Sequence, residues 1–545
     1  MLKQIINRLG DLLLKPFKEH LLFLIAFFVF ATSNYFIIFI EYREYYYALH
    51  VLCHCILISY LTTLVVALIQ NDKIRKIIQI VVIILSAFLF GINSYCVFQI
   101  GTLLDADYTM LMLDTNVNEA KEFISFLVPL YFVLWLAAIY ALFIIFWVRS
   151  KKHTIRLGHK WSLVAMGFIC FCTIKNIPGW GIWVDGPIGK ITELYKSLKN
   201  YDIPDESEIN LVHPTITFID NQQIPLNVVL IIGESFARNH SSLYGYKQIT
   251  NPCLSEIKNS SLLYTFDSID SPASTTALAL KYTLSTYNKD DNSVGTKWYE
   301  YPSIIELMQA CDFDCYWFSN QAKNGQHNNI GRFYSSKCKQ YWFLTQKDNP
   351  AYDKVLLPAY DQILVDSSYI FIQSLPKDSH NFIIYHMLGS HFEYDKRYPE
   401  EFSKFKDNDY LSCPQNQRSC LSSYDNSILY NDYVIEQIIN LYKDSETLII
   451  YLPDHGHDVY CSSRDYCGHG KINNPISYSV GVEIPFMIYA SSLYQEKHPE
   501  TMQRIKYRQD HPKAWNSDDL PYLIMDLIGV KEVNGEDVKL KSVLD

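Results

Sequence analysis

Charge is scarce in this sequence, and basic charge is scarcer still. Only 19% of the 545 residues are Asp, Glu, Lys or Arg, and 57 acids against 47 bases leave a net charge of −10. A general nucleic-acid binder carries a basic face, so no nucleic acid is expected as a partner. Internal repeats are absent, which excludes a solenoid or a propeller. Low-complexity tracts are absent as well, and 49% hydrophobic residues make the chain too apolar to be disordered. It is also too long for one ordinary domain.

What is present is unevenly spread. Hydrophobic runs fall at 21–40, 47–70, 77–99, 124–148 and 161–174. About 20 apolar residues cross a bilayer, so the first four runs read as membrane helices. The fifth is short, but Lys160 and Lys175 flank it and it has no polar face, so it too reads as a span. Lys and Arg number four in 1–20, three in 71–76 and five in 149–160, against one each in 41–46 and 100–123. Positive charge stays on the cytoplasmic side. The N-terminus is therefore expected inside the cell and everything after about 176 outside. The first run is too long for a cleaved signal peptide and reads as a retained anchor.

The cysteines agree with that placement. Five of thirteen (Cys53, Cys55, Cys96, Cys170, Cys172) lie in or beside the apolar runs, and eight lie in the remainder. An even number in an exported domain suggests disulfides. Close spacing suggests Cys311–Cys315, Cys413–Cys420 and Cys461–Cys467, leaving Cys253 and Cys338. The irregular spacings argue against a cysteine zinc cluster.

Residues 176–225 hold Gly179, Gly181, Gly186 and Gly189 among Trp180, Trp183 and Pro187, then an amphipathic stretch from Ile188 to Leu198. Tryptophan favours the headgroup layer, so this segment is expected on the outer membrane surface. From 226 onward, apolar β-type runs alternate with helical patterns. Val228–Ile232, Phe382–Tyr385, Thr447–Leu452 and Ile484–Tyr489 are continuously apolar, as strands buried on both faces of an α/β sheet are. Ser303–Ala310 and Tyr424–Leu441 read as helices. The division is thus a five-helix membrane domain over 1–175, a surface linker over 176–225 and an α/β domain over 226–545.

Three strands end on polar residues: Glu234, His391 a few residues past the second strand, and the Asp454-His455 pair. Open α/β sheets place their sites at the C-terminal ends of strands. Carboxylates with imidazole suit a borderline divalent cation such as zinc. Ser271-Pro272-Ala273-Ser274-Thr275-Thr276 follows Glu234 by about forty residues and offers hydroxyls. A metal nearby turns a hydroxyl into a nucleophile. The same stretch also reads as a helix start capped by Asp270 or Ser271.

Four stretches now carry a family resemblance: VVLIIGESFARNHSSLYGY at 228–246, HMLGSHFEYDKRYP at 386–399, YDNSILYNDYV at 424–434 and LPDHGH at 452–457. In this order, behind five spans, they resemble the bacterial phosphoethanolamine transferases, over nearly the whole chain. The resemblance implies an alkaline phosphatase/sulfatase-like periplasmic domain anchored in the inner membrane. It implies phosphatidylethanolamine as donor, and lipid A, lipopolysaccharide core or a periplasmic glucan as acceptor. It implies one or two zinc ions held by Glu234, Asp454 and His455 with Thr276, and Thr276 as the nucleophile. His391 and His469 would act near the substrate phosphate, and Thr115 and Glu119 would hold the ethanolamine headgroup. Two departures stand out. The family often has a cysteine pair around the nucleophile, where this chain has Pro272 and Tyr282; and the family's Glu after Asp-His-Gly is His457 here, which reads as a surface residue in preference to a spare ligand. A phosphoglycerol transferase using phosphatidylglycerol, and an inactive scaffold on the same fold, are the alternatives. A plain sulfatase lacks support, since Ser271-Pro272 has the wrong spacing for the modification motif and no Arg follows.

Overall fold

Asn227–Gly233 forms β1, and its apolar residues Val228 to Ile231 are wholly buried. Such a strand needs neighbours on both edges and cover on both faces. The computed structural model describes residues 211–545 apart from 220–224, 289–296, 322–328, 345–359, 377, 463–465 and 470–474. Earlier in the chain it describes 71–95 and scattered positions among 23–69 and 133–141. The chain divides into two compact units, one of Met1–Met112 and Ile124–Asp202, the other of Leu113–Phe123 and Ile203–Asp545.

In the first unit, helix α1 spans Asp72–Tyr95 and overlaps the third apolar run. Asn71 Oδ1 starts it by accepting from the amides of Lys73 at 3.0 Å and Ile74 at 3.2 Å. Among the described residues no helix is long and apolar enough to cross a membrane. The runs at 124–148 and 161–174 lie almost entirely outside the described residues, as do the membrane-surface stretch 176–210 and both Thr115 and Glu119.

In the second unit, seven strands form one sheet. They are β1, β2 (Leu263–Phe266), β3 (Asp314–Ser319), β4 (Gln340–Phe343), β5 (Asn381–His386), β6 (Thr447–Pro453) and β7 (Phe486–Ala490). Their order is β2-β7-β6-β1-β5-β3-β4. β1 runs parallel to both β5 and β6, with Val229 opposite Ile383 on one side and Ile449 on the other. β7 is antiparallel to β6 and to β2. The sequence points to four of the seven strands, β1, β5, β6 and β7, but misses β2, β3 and β4, whose Tyr, Thr, Asp and Ser residues break the apolar pattern.

Both faces of the sheet are covered. On one, Val228, Leu230 and Ile232 join a core with α4 (Ile304–Ala310) and with the helix Leu520–Leu527. On the other, the Tyr385 hydroxyl reaches Ser368 Oγ at 3.0 Å and Tyr442 Oη at 2.9 Å, on the helices Gln362–Ser374 and α5 (Gln415–Tyr442). Each fully buried Val, Leu, Ile or Phe stabilises by about 1.5–3 kcal/mol, so this core supplies most of the driving force. The expected helix at Ser303–Ala310 is there, with Ser303 as its N-cap in a capping box with Glu306. α5 begins nine residues before the expected Tyr424.

α5 also anchors the loops after β1. Asp432 accepts from the Cys253 amide at 2.8 Å and the Leu254 amide at 3.1 Å, capping α2 (Pro252–Asn259). Asp425 accepts from Tyr246 Oη at 2.8 Å and from Tyr410, and it pairs with His240 Nδ1 at 2.7 Å. Burial pulls the His240 pKa down, but the Asp425 charge and hydrogen bond outweigh it and hold it up at about 9. The pair's stabilisation is fully present below pH 6.5, where folded and unfolded chains both keep the proton. It fades as pH rises from 6.5 through 9, with about 3 kcal/mol at most at stake. The thermal midpoint of the wild type should therefore exceed that of His240→Gln at pH 6, and the gap should close by pH 10. A gap independent of pH would show that the imidazolium is not the stabilising species.

Candidate active site

The ends of β1 and β6 lie side by side, with Gly233 opposite Pro453 in register. Glu234 and Asp454 therefore leave adjacent strands together, and the Asp454 amide donates to Gly233 O at 3.0 Å. The turn after Glu234 is strained, because Ser235 takes a φ of +54°. Three contacts hold it there. Ser235 N donates to Asp454 Oδ1 at 3.2 Å, Ser235 Oγ donates to Glu234 Oε1 at 2.6 Å, and Tyr424 Oη on α5 donates to Ser235 O at 2.7 Å.

The loop after β5 closes on the same point. Asp361 accepts from the Leu388 and Gly389 amides, each at 2.8 Å, and so shapes the Gly-Ser-His turn. Gly389 has a φ of +52°, and a Cβ there would fall 2.8 Å from both Glu234 N and Glu234 O. A Cβ on Gly456 would lie 2.4 Å from Val480 O and 2.7 Å from Glu483 O, so the Asp-His-Gly turn also requires glycine.

Thr276 is the first residue of helix α3, Thr276–Thr283. The N-cap is Thr275, in extended conformation, and neither Asp270 nor Ser271 caps the helix. Ser271 instead donates from Oγ to Asp454 O at 2.6 Å, tying the approach to this helix to the end of β6. Thr276 Oγ1 lies 3.2 Å from Glu234 Oε2 and 3.5 Å from His455 Nε2. His455 Nε2 is in turn 3.5 Å from Glu234 Oε1 and 3.5 Å from Asp454 Oδ2. His455 Nδ1 meets the Gly456 carbonyl at 2.7 Å, which sets Nε2 as the free lone pair facing the carboxylates.

This arrangement fits a cation. One ligand atom each from Glu234, Asp454 and His455 lie within 4.8 Å of one another, and all three side chains are buried. Asp454 Oδ2 is buried with no hydrogen-bond partner. Burial, and then the neighbouring Asp454 charge, push the Glu234 carboxyl well above the usual carboxylate range. Two buried carboxylates in contact repel unless a positive ion or a proton lies between them.

Histidines surround the cluster. The His469 ring is 4.7 Å from the His455 ring, centre to centre, and its Nδ1 is buried without a partner. Burial, then Arg397 and His455, hold His391 down at about 3. Burial and the neighbouring histidines likewise hold His469 well below the ordinary imidazole value. The surface reading of His457 is wrong. It is fully buried, its Nε2 meets Tyr394 Oη at 2.7 Å, and its ring stacks on Tyr424 at 5.7 Å.

Sequence reasoning passed over two further residues. His386, the last residue of β5, is buried with neither ring nitrogen partnered; burial lowers its pKa to about 4 against the opposing pull of Asp454. Gln321 Nε2 donates to Met387 O at 2.9 Å and lies 3.5 Å from Glu234 Oε2. A histidine ending a continuous apolar strand carries a signal; a glutamine in a loop carries none. The cysteines also depart from expectation. All eight described thiols are unbonded, and the sulphurs brought together are Cys420 and Cys467, 3.5 Å apart, not the close-spaced pairs.

Comparison with known proteins gives this geometry a context. The sulfatase family model matches residues 226–530, and the model described as "Phosphoethanolamine transferase EptA/EptB" matches 58–176. Phosphoethanolamine transferase EptC of Escherichia coli O18:K1:H7 (strain RS218 / NMEC) is 26% identical over 486 residues, covering 84% of this chain and 81% of the relative. The C-terminal periplasmic domain of EcEptC from Escherichia coli, solved in complex with Zn, superposes with a TM-score of 0.54 at 26% identity, over 62% of this chain and 90% of that one. The integral membrane lipooligosaccharide phosphoethanolamine transferase A (EptA) from Neisseria meningitidis gives a TM-score of 0.66 at 18% identity, over 93% of this chain and 95% of that one.

Proposed function

Since the chain belongs to the sulfatase family, in its phosphoethanolamine transferase branch, and is a phosphotransferase enzyme, we propose that it moves phosphoethanolamine from phosphatidylethanolamine to an envelope acceptor of the lipid A or lipopolysaccharide type, or to a periplasmic glucan. The observation that carries this reading is the placement of Thr276 Oγ1 within 3.5 Å of both Glu234 and His455. The likeness to a periplasmic domain solved with zinc supports zinc as the ion, one or two in number, held by Glu234, Asp454 and His455 with Thr276.

Bound there, zinc supplies Lewis acidity that lowers the pKa of the threonine hydroxyl and offsets charge on the phosphoryl oxygens. The side chains do the rest. Thr276 stands at a helix start, half-exposed, so its oxygen can meet phosphorus in line with the leaving oxygen. The bond between phosphorus and the diacylglycerol oxygen breaks as the bond to Thr276 Oγ1 forms. His391 and His469 present imidazole N–H groups toward the phosphoryl oxygens, and one of them protonates the leaving oxygen. An incoming phosphoryl anion raises the pKa of both imidazoles, reversing the burial effect. An acceptor hydroxyl or protonated phosphate then attacks phosphorus and gives its proton to the imidazole that protonated the leaving oxygen, while the bond to Thr276 Oγ1 breaks and frees the threonine oxygen as the alkoxide that began the cycle.

The same reading assigns the envelope arrangement: five spans over 1–175 with a cytoplasmic N-terminus, a linker on the outer membrane surface over 176–225, and a periplasmic catalytic domain over 226–545. Thr115 and Glu119 would hold the ethanolamine headgroup, where a carboxylate can pair with an ammonium. The full-length protein in vesicles containing labelled phosphatidylethanolamine and labelled phosphatidylglycerol tests the donor. Diacylglycerol should be released from the first lipid only. Faster turnover of phosphatidylglycerol would make the chain a phosphoglycerol transferase, and release from neither would favour an inactive scaffold.

A further inference from the structure

Four cysteines occupy two segments beside the site, two on each. Cys413 and Cys420 stand at the start of α5, with Cys420 in its second turn. Cys461 and Cys467 belong to a short antiparallel hairpin in which Cys467 pairs with Val459 and Gly468 with Asp458. This hairpin follows His455 and His457 directly, and His469 stands two residues past Cys467.

We propose that Cys420 and Cys467 form a disulfide that fastens this histidine-bearing hairpin to α5. Their sulphurs lie 3.5 Å apart across 47 residues of chain. Cys467 is buried and Cys420 half-buried, so few other thiols can compete for either. Tyr394 Oη lies 3.3 Å from Cys467 Sγ and 2.7 Å from His457 Nε2. The sulphur pair is thus one hydroxyl away from the imidazole at the hairpin base. The other two cysteines do not offer a better match. Cys461 is exposed and accepts from Asn239 Nδ2 at 3.0 Å, on the far side of the hairpin turn.

Bond formation is a two-electron oxidation. Two S–H bonds break, one S–S bond forms, and two protons leave. Both electrons pass to a disulfide-bearing oxidant of the compartment, which is reduced to a dithiol by thiol–disulfide exchange. The cross-link closes a long loop and restrains the hairpin, so His457 and His469 act as positioned groups and not as parts of a free turn. This inference rests on the proposed placement of the domain outside the cytoplasm. It does not depend on the donor lipid or the nucleophile.

Trypsin can decide the pairing, because Arg418 separates Cys413 from Cys420 and Arg464 separates Cys461 from Cys467. Full-length protein from the membrane would be alkylated without reduction, digested and mapped by mass. The expected species joins residues 419–443 to 465–471. A link between 407–418 and 419–443, or between 444–464 and 465–471, would overturn this pairing while leaving the oxidising location intact. Four alkylated thiols would overturn the disulfide and the external placement together. A thermal-stability cycle gives an independent readout. Cys420→Ala, Cys467→Ala and the double variant should lose the same number of degrees, and reductant should shift none of them further through this bond. Additive losses would mean two separate thiols.

Discussion

Replacing Thr276 by alanine should cut transfer by roughly a thousandfold or more, the range seen when a covalent nucleophile is removed. Thr275→Ala should keep most activity. The two differ in geometry, not in chemistry. Thr276 Oγ1 faces Glu234 at 3.2 Å, whereas Thr275 is the helix N-cap with no side-chain capping bond. Protein quenched after exposure to phosphatidylethanolamine and zinc should carry a phosphoethanolamine mass on the tryptic peptide 259–281. The adduct should vanish in Thr276→Ala and persist in Thr275→Ala. Persistence in Thr276→Ala would place the nucleophile elsewhere. Thr276→Ser should retain part of the activity, because it keeps the oxygen and loses only the methyl that fixes its rotamer.

Asp454→Asn should give the second large effect, and its sign should depend on zinc. With the ion available, wild-type protein should bind it and gain thermal stability, by up to about 4 kcal/mol at a thousandfold excess over Kd. The variant should bind far more weakly, gain little, and lose most of its transfer activity. After chelation the order should reverse or level. Glu234 and Asp454 are both buried, and burial first, then their mutual repulsion, pushes the Glu234 carboxyl up. Removing one charge relieves that repulsion, so the chelated variant should be at least as stable as chelated wild type. Metal content by elemental analysis and thermal midpoints with and without chelator measure both halves. Equal zinc content in the two proteins, with full activity, would remove Asp454 from the ligand set.

The parts of this fold that rest on local pattern can be read from the chain. Continuous apolar runs mark β1, β5 and β6, and the polar residues ending them meet in space because these strands are sheet neighbours. Other parts depend on tertiary packing and leave no local trace. The first two turns of α5, QNQRSCLSS, carry no apolar period, yet Gln417 and Ser422 are buried there by other elements. β3 was hidden by Asp314 and Ser319 at its ends. His457 follows a glycine in a turn, where a polar residue is usually solvated, but Tyr394 and Tyr424 close over it. The sulphur partners follow from the fold and not from spacing, as Cys420 and Cys467 show. Thr276 needed the family resemblance to be chosen over Thr275; the helix boundary then separates the two by position alone.

The register that sets Gly233 opposite Pro453 has a consequence for biosynthesis. Glu234 is made about 220 residues before Asp454 and His455. β7, which borders β6, is made later still, and Val482 O accepts from the Ser271 amide at 2.7 Å to tie the approach to Thr276 to that late segment. No chain shorter than 455 residues holds all three members of the cluster. The site is therefore a product of distant parts of the chain, and its geometry is complete only once β6 and the segment bearing Val482 have joined the sheet laid down by β1.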